Sequence, residues 1–180
     1  MKTEITYFEK GGEPNTKDVL EIALNRYQEG DIDALVIASS FGKTAQLAAN
    51  IFAGTKAQLL IVGEVIDGEQ SPPIEICKLL SKSGHKVIWG LPMGKMSKFT
   101  KNDTSSLIAD AYKRVSEGFK VVCEIVLIAS SLGYLKVGQK VLSIAGTHNG
   151  ADTAVVASAG GFDSFYEFQV HEILCKPYRR

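Results

Sequence analysis

The sequence predicts an α/β protein in three layers, with helices on both faces of a mainly parallel sheet that ends in antiparallel strands. Three observations predict it. Apolar runs typical of buried strands, such as ALVIA at 34–38 and AQLLIV at 57–62, alternate with amphipathic helical stretches, the order from which parallel sheets covered on both faces are built. The final third carries apolar runs separated by glycine-rich breaks, which read as a small antiparallel extension and not as another crossover unit. A chain of 180 residues, 45% apolar, is also long enough to bury about 70% of its extended surface on folding. With no tandem repeat, low-complexity tail or linker in view, a single domain over residues 1–180 is expected.

Taken in order, Ile5 to Phe8 is a short strand, followed by a turn at Lys10 to Pro14. Asn15 and Thr16 are both candidate caps for a helix whose Leu20, Ala23, Leu24 and Tyr27 share a face. Gly30 and Asp31 end it, and Ala34 to Ala38 is the first interior strand. Ser39 to Thr44 interrupts the chain before a helix marked by Ala45, Ala48 and Phe52. A strand over Ala57 to Val62 is expected to stop at Gly63, with a surface loop from Glu64 to Pro73. Ile76, Cys77 and Leu80 mark one face of the next helix, Gly84 closes it, and His85 to Trp89 is a strand. Gly90 to Asn102 holds Met93, Met96, Lys95, Lys98 and Lys101 and reads as a lid, an interface loop or an ordinary excursion. Asp103 or Thr104 caps a helix through Leu107, Ile108, Ala111 and Val115, and Gly118 divides it from a second helix ending near Gly133. Val141 to Ala145, Thr153 to Ala157 and Phe168 to Cys175 are the closing strands.

Composition narrows the partners. Twenty basic and twenty acidic residues cancel, removing the general attraction to nucleic acid or anionic membrane that a basic protein has. Neither is expected as a partner. Cys77, Cys123 and Cys175 sit scattered in apolar runs, which fits reduced, buried thiols and neither a disulfide scaffold nor a structural zinc site. His85, His148 and His171 form no ligand spacing with them, so no metal is expected, and no catalytic triad is identifiable. The opening MKTEITYFEKGG lacks the apolar core of a secretory signal, and Val121 to Ala129, broken by Glu124, falls short of the roughly 20 residues that cross a bilayer. A cytoplasmic location follows as an expectation.

The strongest local motif is SSFGKT, between an apolar strand and a helix. Gly42 permits close backbone approach, helix-start amides receive an anion, and Lys43 adds charge. Ser39, Ser40 and Thr44 supply hydroxyls, with Phe41 between them. A phosphate monoester suits this set, and a purely structural strand-to-helix turn is the alternative. A nucleotide triphosphate loop would need a glycine where Ile37 stands, which excludes a kinase or ATPase of that type. The second motif is the turn Gly146, Thr147, His148, Asn149, Gly150, leading through Asp152 to Thr153. It offers hydroxyl and amide donors and an imidazole for a phosphate or ring, or it simply connects antiparallel strands. Both motifs follow strand ends, where open sheets form crevices. Glu124, within VVCEIVLIASS and one turn from Lys120, is either structurally paired or faces that crevice, since an unpaired buried carboxylate is costly.

Five segments in this order, NT at 15–16, SSFGKTA at 39–45, CEIVLIASSLGYL at 123–135, GTHNGADTA at 146–154 and HEILCKP at 171–177, resemble the carboxyl-terminal domain of pyruvate kinase. More closely, the chain resembles small stand-alone archaeal and bacterial proteins built from that domain. The resemblance implies the fold of that domain, a regulatory role, and a phosphate of a sugar bisphosphate received by Ser39, Ser40, Gly42, Lys43 and Thr44, with Gly146 to Thr153 as the second wall. It does not imply pyruvate kinase activity, because the catalytic barrel has no counterpart here. The stand-alone proteins it resembles are associated with flavin mononucleotide (FMN), whose ring would meet Trp89, Met93 or Met96.

The function expected is therefore noncatalytic binding of a phosphorylated small molecule, FMN being the named candidate. Two alternatives stand beside it. One is an enzyme acting on a phosphorylated substrate, flavin-dependent if a flavin is bound, with Glu124, His148 and Lys43 as its polar groups. The other is a structural protein, a homo-oligomer with an inert ancestral site, whose terminal strand around Ile173 and Cys175 pairs within the subunit or across an interface.

Overall fold

The computed structural model describes residues 3–66, 69–90 and 104–179. Among these, the chain runs β1 Thr6–Phe8, α1 Thr16–Tyr27, β2 Ala34–Ala38, α2 Lys43–Ile51, β3 Leu59–Ile66, β4 Glu69–Ser71, α3 Ile74–Lys82 and β5 Lys86–Gly90. It continues with α4 Thr104–Lys113, α5 Glu117–Ser131, β6 Lys140–Ala145, β7 Thr153–Ser158 and β8 Gln169–Pro177. One 8-stranded sheet has the order β1-β8-β7-β6-β2-β3-β4, with β5 beside β3. The β2–β3, β2–β6, β3–β5 and β1–β8 pairs are parallel, while β6–β7 and β7–β8 form the antiparallel end. The expected α/β class and mainly parallel sheet are as found.

Side-chain alternation builds the layers. Leu35, Ile37, Leu59, Ile61, Leu142 and Ile144 point to one face, where Val19, Leu20 and Ala23 of α1, Ala45 and Ala48 of α2 and Leu80 of α3 cover them. Their neighbours Val36, Leu60, Val62, Ile88 and Val141 point to the other face, against Ile125, Val126, Ile128 and Ala129 of α5. Because both faces are dry, each interior strand reads as an unbroken apolar run. The central strands are therefore fixed by packing on both faces, and the loops leave from their carboxyl ends.

Several local expectations are corrected. Neither Asn15 nor Thr16 caps α1: Asn15 Nδ2 donates to Lys10 O and Thr16 Oγ1 donates to Glu13 O. The strand β3 does not stop at Gly63 but continues to Ile66, and 64–66 pair with 69–71 in place of a surface loop. The break before α5 falls at Ser116, whose hydroxyl accepts from Phe119 N, and Gly118 lies inside the helix. Leu107 is 71% exposed, because α4 turns Ala109, Ile108 and Tyr112 toward α5 instead. Cys175 does not sit on an edge, since it pairs with both Thr6 and Ala154 and is fully buried. Gly90 closes β5; residues 91–103, with Met93, Met96, Lys95, Lys98, Lys101 and Asp103, lie outside the described residues. Among the described residues no helix is long and apolar enough to cross a membrane.

Candidate functional site

From β2 the chain moves to β3 on one side, and later returns as β6 on the other. The loops leaving β2 and β6 therefore diverge, which opens a crevice at the carboxyl ends of these two strands. A cleft of about 690 Å³ lies there. Its walls include Ser39, Ser40, Phe41, Lys43 and Thr44 from the first motif and Gly146, His148, Asn149 and Gly150 from the second. Two motifs separated by a hundred residues of chain face each other across it.

The first wall is set by backbone geometry. Gly42 has φ 83°, left-handed, immediately before α2, and a Cβ there would lie 2.6 Å from Ile76 Cγ2. Only glycine fits this entry without strain. The Ser39 hydroxyl accepts from Ala45 N at 3.2 Å, so it acts as a remote cap for α2. The amides of Lys43 and Thr44 open the helix, where unpaired donors and the helix dipole favour an anion. Lys43 is exposed at the rim, whereas Thr44 is buried. Its exposure means that solvent screens the Lys43 charge.

The second wall is held from behind. His148 carries φ 59°, the single positive φ outside glycine among the described residues, and both His148 and Asn149 are exposed. That conformation is disfavoured for a residue with a Cβ. It is over-determined by its flanks. Gly150 packs against the turn before α1, where a Cβ would lie 2.3 Å from Thr16 Oγ1, and Thr16 Oγ1 accepts from Ala151 N at 3.0 Å. Asp152 is fully buried: its Oδ2 accepts from Gly12 N and Thr147 N, each at 2.8 Å, and its Oδ1 accepts from Thr153 Oγ1 at 2.7 Å. Thr147 and Thr153 thus serve the loop's scaffold and do not line the cleft. Gly42 likewise shapes the wall without lining it.

Glu124 does not line the cleft either. It is 4% exposed, accepts from Lys120 Nζ at 2.7 Å, and borders a crevice of about 20 Å³ beneath Ser40 and Glu64. Cys123 beside it is fully buried; burial, with a smaller contribution from Glu124, pushes its thiol up to about 12. Such a thiol is no nucleophile near neutral pH. Ser158 and His171 share a 2.6 Å hydrogen bond, but Ser158 pairs with Lys140 at the opposite end of β6. Among the described residues no group of three His, Cys, Asp or Glu side chains is arranged to hold a metal.

Sequence reasoning missed Glu64, Lys17, Glu13, Leu47 and Val121, which also line the cleft, and the scaffold role of Asp152. Trp89 does not line it. Phe41, 57% exposed, and Leu47, 37% exposed, present apolar surface to the cleft. The one legible signal was a single acid, Glu64, one glycine beyond an apolar run. No protein-family model matches the chain.

Proposed function

We propose that this chain is a noncatalytic binding or regulatory protein for a phosphorylated small molecule, built on a domain like the carboxyl-terminal domain of pyruvate kinase and without that enzyme's activity. One observation carries the reading: the glycine-bearing loops after β2 and β6, each a phosphate receptor by its residue types, line the same cleft. The start of α2 faces a phosphate, and Phe41 and Leu47 offer apolar surface beside it. The resemblance to the stand-alone proteins makes FMN the leading named candidate, its ring placed on Phe41 and Leu47 instead of Trp89.

Native mass spectrometry of gently purified protein, with an absorbance spectrum, tests for a retained flavin. Calorimetry with FMN and riboflavin then isolates the phosphate. Because Lys43 is exposed, Lys43→Ala is expected to weaken FMN about three- to tenfold, the loss of a screened charge-assisted bond, and to leave riboflavin unchanged. Equal losses for both ligands would remove the phosphate contact assigned to Lys43. A broad panel of phosphorylated metabolites with no binder would defeat the function.

A further inference from the structure

We infer that the cleft takes a phosphomonoester whose hydroxyl-bearing chain is read by Glu64, and that it rejects a second phosphate on that chain. This rests on the preceding assignment of the SSFGKT loop to the phosphate.

The two ends of the cleft belong to opposite faces of the sheet. Ala45 and Ala48 place α2 on the face that Ile37 and Ile61 share. Along β3 the parity of Leu60 and Val62, which face α5, extends to Glu64 two residues on. Glu64 borders the α5 side, with Val121 of that helix lining the same cleft. Helix-start amides and Lys43 therefore stand on one side of the sheet's carboxyl edge and a carboxylate on the other.

Ser40 lies between them. Its Oγ donates to Glu64 Oε1 at 3.4 Å, a long contact that leaves most of the carboxylate's acceptor capacity open. A ligand hydroxyl can donate to Glu64 and accept from Ser40, which is the pattern of a polyol. A phosphate cannot, because an ionised phosphate and a carboxylate are both acceptors of the same sign. The charged lining residues among those described are Lys17, Lys43, Glu13 and Glu64, and Lys17 also lies 3.5 Å from Glu21. Their charges cancel. One dianionic phosphate is accommodated at α2, whereas a second would add about −1.5 to −2 charges opposite the Glu64 carboxylate, which repels it.

Calorimetric titration of inorganic phosphate, ribulose 5-phosphate and ribulose 1,5-bisphosphate into the wild type, Lys43→Ala, Glu64→Gln and Glu64→Asp tests this. The wild type should bind the monophosphate more tightly than inorganic phosphate, and about tenfold more tightly than the bisphosphate, the scale of one charge-assisted hydrogen bond. Glu64→Gln should narrow that preference to about threefold or less while keeping inorganic phosphate affinity. Glu64→Asp, which keeps the charge, should retain the discrimination, and circular dichroism confirms that each variant is folded. Wild-type preference for the bisphosphate, or a monophosphate no tighter than inorganic phosphate, would overturn the inference. So would an unchanged ratio in a folded Glu64→Gln, even with phosphate binding intact and weakened by Lys43→Ala. Absence of inorganic phosphate binding in every form would overturn the phosphate assignment itself.

Discussion

Replacing Asp152 should damage the protein in a way that separates its hydrogen bonds from its charge. The side chain is fully buried, and its three acceptor contacts join the turn before α1, the loop after β6 and the start of β7. In Asp152→Ala the amides of Gly12 and Thr147 lose their acceptor, at about 1–3 kcal/mol for each buried or half-buried donor left unmade. The two amides together with the void give a loss of about 3–7 kcal/mol. At about 2–4 °C per kcal/mol for a chain of this size, the midpoint of thermal unfolding should fall by about 6–28 °C. Asp152→Asn behaves differently. Its carbonyl oxygen can occupy the Oδ2 position and keep both amides, while its NH₂ donates to Thr153 Oγ1, a hydroxyl able to accept as well as donate. Most of the stability should return. Thermal and urea unfolding followed by circular dichroism measures both variants, and binding of the phosphorylated ligand should fall in Asp152→Ala and recover in Asp152→Asn. A loss under about 1 kcal/mol in Asp152→Ala, below the cost of even one orphaned amide, would refute the reasoning. So would an Asn variant as unstable as the Ala variant.

Gly42→Ala should destabilise the fold by about 1–3 kcal/mol, from left-handed strain together with the contact on Ile76, and should weaken phosphorylated ligands as the α2 entry shifts; wild-type stability and affinity would contradict the backbone role. Burial pushes the Cys123 and Cys175 thiols up to about 12, so at about pH 8 iodoacetamide should leave both unmodified in the native protein and label them in denaturant. Labelling of either in the native state, read by mass spectrometry, would contradict their burial. Hydrogen bonds from Arg26 hold the carboxyls of Asp31 and Glu172 below the usual range. Depressed folded values mean that this stability is complete above the unfolded carboxylate range near about pH 4 and is lost as pH falls below it. Asp31 is half-exposed and screened, whereas the Glu172 side chain is 14% exposed, so Glu172→Gln should make the acid fall of the urea midpoint shallower. An identical acid limb in the variant would assign the fall elsewhere.

What the chain determines locally was legible before any coordinates. The runs 34–38, 57–62 and 141–145 are apolar because both faces of their strands are covered, so their identity and the layer class follow from composition along the strand. The SSFGKT and GTHNG loops were legible for the same kind of reason: glycine marks backbone that side chains would obstruct, and strand ends are where crevices open. Where two local signals were of similar strength, the reading failed. Leu107 is apolar and periodic yet exposed, because Ala109 and Leu127 decide how α4 meets α5. Gly118 looked like a helix break and is instead a helical position where a Cβ would lie 2.3 Å from Asp152 Oδ1.

The tertiary structure alone decided what completes the cleft. Asp152 has a partner 140 residues away in Gly12, and Ala151 one 135 residues away in Thr16; no periodicity or spacing encodes such pairs. Glu64 reaches the cleft only because β3 runs on past Gly63 in register with β4 and β5, turning a residue that reads as loop into one on a rigid strand. Secondary structure answers to contacts a few residues apart, so sequence pattern specifies it. Which side chains meet in a site depends on strand order and register, set by the burial of surfaces distant in the chain.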